Sequence, residues 1–119
     1  MPSSLPTAPD ILAVVREFLE TQIVPAVADD QRFNVRVAVN LLATVERELL
    51  LGPAADAAEA VRLAGLTGIE GPLAENNRRI AEAIRRGDLA FDDPQLLDHL
   101  RSTVKDSLRI NNPKWLVDT

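Results

Sequence analysis

At 119 residues the chain is the size of one domain and long enough to bury a core without disulfides. It has no cysteine, one histidine and a formal net charge of −5. That composition excludes thiolate and multi-histidine metal sites and a cysteine nucleophile, and it argues against a general nucleic-acid binder.

No apolar run approaches the roughly 20 residues that span a bilayer. The opening MPSSLPTAPD lacks the basic start and apolar core of a signal peptide. A soluble cytoplasmic protein is expected, with no membrane and no nucleic-acid partner. Residues 1–7 read as a disordered N-terminal tail and 8–119 as a single helical domain.

Thr7 is an N-cap by pattern, with Asp10 in the capping-box position and Pro9 in the first turn, where it forfeits no hydrogen bond. The first helix is expected from Ala8 to Val24. Its apolar face is Ile11, Val14, Val15, Phe18, Leu19 and Ile23, and Pro25 ends or kinks it. Asp29 and Asp30 offer a cap and favourable charge to the next helix.

Arg32 to Leu51, RFNVRVAVNLLATVERELLL, is the longest run free of Gly and Pro and is too long for a strand. Phe33, Val37, Leu41 and Val45 form one apolar stripe; Val35, Val39, Leu42 and Leu49 form a second. Two faces predict a helix over about residues 30–51 buried at the centre of a bundle. Gly52 reads as its left-handed terminator and Pro53 as the first turn of a third helix, Pro53 to Leu66, so that the two make a helical hairpin. In the Ala-rich third helix, Ala57, Val61 and Ala64 are expected inward, with Asp56, Glu59 and Arg62 outward.

TGIEGP at 67–72 is a loop without the lysine and spacing of a phosphate loop. A fourth helix, Leu73 to Arg86, turns Leu73, Ile80 and Ile84 inward and carries the i,i+4 pairs Glu75/Arg79 and Glu82/Arg86 before Gly87 ends it. Its arginine pairs, Arg78/Arg79 and Arg85/Arg86, are either a solvated face balanced by those glutamates or a docking patch for an acidic partner. Asp92 or Asp93 caps a fifth helix, Pro94 to Ile110, with Gln95 placed to complete a capping box and Leu97, Leu100, Val104 and Leu108 as its stripe. His99 is expected at the surface or half-buried rather than as a catalytic base. The fold class is therefore all-α, a five-helix bundle about a central buried helix.

No catalytic residue, cofactor or metal ligand is assigned. The candidate polar notch is Arg36, Asn40 and Glu48 of the central helix, with Arg47 beside them. If that helix is buried, these groups form a satisfied internal network, since an unpaired buried polar group costs about 1–3 kcal/mol; otherwise they bind a ligand or a partner, or simply face solvent. The ending INNPKWLVDT is apolar for a tail. Trp115, Leu116 and Val117 either fold back on the bundle or form an interface with a second copy or another chain.

The segments RVAVNLLATVERELLLGP at 36–53, GDL at 87–89, DDPQLLDHLR at 92–101 and INNP at 110–113 resemble a bacterial family of small helical domains of unknown function, over about Leu12 to Trp115. Members of that family accompany proteins resembling aminoglycoside phosphotransferases, in gene neighbourhoods that also hold acyl-CoA dehydrogenases. The resemblance implies partnership with such a kinase-like protein and brings no catalytic residues. The chain itself lacks the length and the catalytic HRD motif of a kinase. Three readings stand: an accessory domain on a phosphotransferase-like partner, a ligand-binding or enzymatic bundle around Arg36 and Asn40, and a self-associating module such as a homodimer.

Overall fold

The computed structural model describes residues 6–116, which hold four α-helices. Thr7 opens the first. Its hydroxyl accepts from the Asp10 backbone N–H while the Asp10 carboxylate accepts from the Thr7 N–H, a complete capping box that also holds the Asp10 carboxyl below its ordinary range. Helix α1 runs Ala8–Phe18 and continues as a π-helical turn, Leu19–Ile23, and a 3-10 turn, Val24–Ala26. Pro25 is the cause, because it has no N–H to give. The turn before it re-registers, and Val24 N–H donates to Leu19 O five residues back. The Arg32 guanidinium takes up the carbonyls freed there, donating to Val24 O at 3.0 Å and Val27 O at 3.1 Å.

Helix α2 is Asp29–Thr67, a single helix of 39 residues. The expected break at Gly52-Pro53 does not occur, and the second and third expected helices are one. Among the described residues positive φ is confined to Gly68 (+72°) and Gly87 (+79°), so Gly52 is not the left-handed terminator. Pro53 forfeits only its own N–H bond toward Leu49. The Ala-rich run that follows has the best intrinsic helix propensity and carries the helix onward. Its true end is Gly68, whose N–H donates to Ala64 O at 2.8 Å. At the start, the cap is Ala28 with no side-chain bond, so Asp29 and Asp30 contribute first-turn charge rather than a cap.

At about 1.5 Å per residue α2 is about 58 Å long, which accounts for the longest molecular extent of 59 Å. Helices α3 (Leu73–Arg86) and α4 (Pro94–Asn111) match the expected fourth and fifth helices. The Asp93 carboxylate caps α4, accepting from Gln95 and Leu96 N–H; Gln95 itself sits one position early for a capping box.

Every other helix packs on α2, which is a spine rather than a buried centre. The hairpin α1–α2 occupies one end. Helix α4 runs antiparallel along the other, from Leu96 beside Leu63 to Ile110, whose carbonyl accepts from Arg47 Nε at 2.8 Å. The core is small: Leu63, Ile80 and Leu96, with Leu66, Leu73, Ile84 and Leu89 packed on it. Of the expected inward set of the third helix, Ala57 and Val61 are exposed and Ala64 is half-buried. Leu63 is fully buried and Val61 lies exposed, the two being about 200° apart on the wheel. On α4 the buried side chains are Leu96 and His99, while Leu100 and Val104 of the expected stripe are exposed.

Candidate interaction surface

The polar notch comes apart in the structure. Arg36 and Asn40 are exposed and do not form a buried network. They line one groove of about 350 Å³ with Glu20, Val24 and Val39. Glu48 faces a different groove, of about 500 Å³, with Val45, Leu49, Pro53 and Ile110. Twelve residues of helix, about 18 Å, separate Arg36 from Glu48. Arg47 is engaged with Ile110 O and with Thr44 Oγ1, which tethers the end of α4 to the spine.

Beyond α4, Pro113–Trp115 form one 3-10 turn, closed by Trp115 N–H on Asn112 O at 3.0 Å and Leu116 N–H on Pro113 O at 3.2 Å. The indole of Trp115 is 71% exposed and Leu116 is half-buried, so the segment does not fold its tryptophan onto its own bundle. Val117 lies outside the described residues. A groove of about 290 Å³ between this segment and α2 is lined by Asn40, Thr44, Arg47, Asn111, Asn112 and Lys114.

The larger feature escaped the sequence reading. On α1 the face against α2 is Leu12, Ala13, Arg16 and Leu19, all half-buried. The stripe expected inward, Ile11, Val14, Val15 and Phe18, is exposed, Val14 at 68%. On α2 the stripe Phe33, Val37, Leu41 and Val45 is also exposed, Phe33 at 69%. The hairpin is held by other means. Arg16 forks onto Glu46, Nε to Oε2 at 2.5 Å and Nη2 to Oε1 at 3.3 Å, and the ion pair raises the Arg16 pKa further.

At the other end His99 is buried rather than at the surface. Its Nδ1 accepts from Arg62 Nε at 3.1 Å, and Arg62 Nη2 donates to Thr103 Oγ1 at 3.2 Å. An arginine only donates, so Nδ1 is bare and the ring is neutral. Burial, and then the Arg62 charge, push the His99 pKa below its ordinary value, with Glu59 opposing. This pair serves packing between α2 and α4. Among the described residues no group of three His, Asp or Glu is placed to hold a metal ion, and no helix is long and apolar enough to cross a membrane.

The described residues are all-helical, three helices packed on one long spine with apolar side chains left uncovered. Residues 25–115 match the family described as a domain of unknown function, DUF6285. The chain belongs to that family. No curated protein and no solved structure is significantly similar to it.

Proposed function

We propose that this chain is a non-catalytic helical accessory domain that docks on a larger protein. The observation that carries the reading is the Trp115 end. A large aromatic is held outward on a short turn that Pro113 and two backbone hydrogen bonds define. Exposed, pre-ordered aromatics are the usual anchors of protein interfaces. The flanking groove adds Arg47 and Lys114 as cationic rim groups. The class of partner comes from the resemblance to domains that accompany aminoglycoside-phosphotransferase-like proteins, and phosphoryl-transfer chemistry then resides in that partner.

The test is co-expression with a phosphotransferase-like protein of the same gene neighbourhood, followed by size exclusion with mass detection. A heterocomplex that Trp115→Ala disrupts supports the reading. Failure to associate at micromolar concentration with the unaltered chain overturns it. A second reading rests on the groove shared by Arg36, Asn40 and Glu20, which would take a small polar ligand. Ligand-dependent thermal stabilisation lost in Arg36→Ala supports that one.

A further inference from the structure

We infer that the uncovered apolar face of the α1–α2 hairpin is occupied by a second copy of this chain, two hairpins packing about a two-fold axis into a four-helix bundle. This concerns a different surface from the Trp115 end and stands or falls separately. Area and pattern select this occupant.

The area is that of a subunit. A compact monomer of 13.0 kDa exposes about 6,300 Å², whereas this chain exposes 8594 Å², an excess of about 2,300 Å². The radius of gyration is 19.4 Å against about 13.5 Å for a compact chain of this length. A standard interface removes about 800 Å² per partner and an obligate homodimer about 1,000 Å² or more, which the excess accommodates.

The pattern is that of helices packed on helices. The α1 stripe is spaced i, i+3, i+4, i+7 and the α2 stripe i, i+4, which is what a helix presents to another helix. Within the chain this hairpin buries only Val24 and Val39. Two helices alone do not enclose a core; two such pairs do, in the four-helix arrangement.

The charge limits how two copies can meet. The chain carries −5 overall, and two copies therefore repel at long range. A two-fold contact sets a patch against itself, so any net charge in the patch meets its own sign. Thr7 and Thr21 beside the α1 stripe and Asn34 and Ala38 beside the α2 stripe are uncharged, while Asp10 and Glu17 border the first stripe and Asp30 and Glu48 stand in line with the two ends of the second. Arg16 and Glu46, which lie along the α1–α2 seam, are paired with each other. Charge is thus kept to the borders of the patch, and its centre, Val14, Val15, Val37 and Leu41, sets no charge against its own copy.

Sedimentation equilibrium of the full chain, from low to high micromolar, is the test. The expected mass is twice 13.0 kDa. Val14→Glu with Leu41→Glu is expected to halve it at unchanged helical circular dichroism, since both side chains already face solvent in the single chain. A wild-type mass of one chain at every concentration overturns the inference, as does a double variant that stays dimeric. Because the chain has no cysteine, Val14→Cys carrying a spin label gives a readout free of any introduced charge. Close label-to-label coupling between copies is expected, and a dimer without it overturns the proposed face.

Discussion

The two ends of the spine helix are built on opposite terms. Beyond Pro53, α2 packs Leu63 against Ile80 and Leu96, with Asn76 also buried. Asn76 ties the 68–72 loop down, its Nδ2 donating to Ile69 O at 2.8 Å and its Oδ1 accepting from Arg79 Nη1 at 2.6 Å. Before Pro53, the same helix shares with α1 a seam of half-buried residues and an ion pair, and its largest apolar side chains point away. One end is a small core closed by its own chain; the other leaves its apolar face open. A continuous helix joins them, so the closed end holds the open end in shape while its apolar face is free to dock.

The largest effect that sharpens this contrast is at Leu63. Leu63→Ala empties a fully buried site at the junction of three elements and is expected to cost about 2–5 kcal/mol. Phe33→Ala removes a larger side chain from the open end, and in the dissociated chain it is expected to shift stability by no more than about 0.5 kcal/mol. Urea unfolding followed by circular dichroism at low protein concentration compares the two. Equal losses would mean that the open end is closed within one chain. Next in size is Pro53→Ala, expected to stabilise by about 1–3 kcal/mol, since it restores the N–H bond toward Leu49 and removes the ring from a helix interior. The same unfolding measurement reads it. A loss of stability would mean that the irregularity at Pro53 is needed to seat Ile110 in its groove.

The pattern of stripes and caps carried the fold class and most boundaries. Thr7, Gly87 and Asp93 act as their residue types require, and α3 begins and ends where its pattern does. Gly52-Pro53 misled because helix termination is a local signal, and it was outweighed here by the alanines that follow and by packing along α2. The sides of the helices were less legible. A stripe such as Ile11, Val14, Val15 and Phe18 says that something apolar belongs against it, but not whether that something is in the same chain. Reading one chain as the whole core turned this face inward. His99 was misplaced for a related reason: its acceptor role depends on Arg62, 37 positions away, and no local spacing announces that pair. Arg36 and Asn40 share a groove as their one-turn spacing implies, while Glu48 lies too far along the helix to join them.

The smallest effect tests whether the closed end depends on that neutral histidine. The His99 pKa is lower in the folded chain than its ordinary 6.5, so the folded state binds a proton less readily than the unfolded chain does. Its contribution to stability is then fully present above pH 6.5 and is lost as pH falls through the lowered value. Protonation would put a hydrogen on Nδ1 and set a cation against Arg62, removing the bond to Arg62 Nε. His99→Gln supplies a replacement acceptor that does not titrate. The stability difference between wild type and this variant, read from urea midpoints, is expected to be constant above pH 7. On acidification it is expected to move against the wild type, before the carboxylates begin to titrate. A difference that stays constant from pH 7 to pH 5 would show that the ring binds a proton equally well in the folded and unfolded chain, against what burial and the Arg62 charge require.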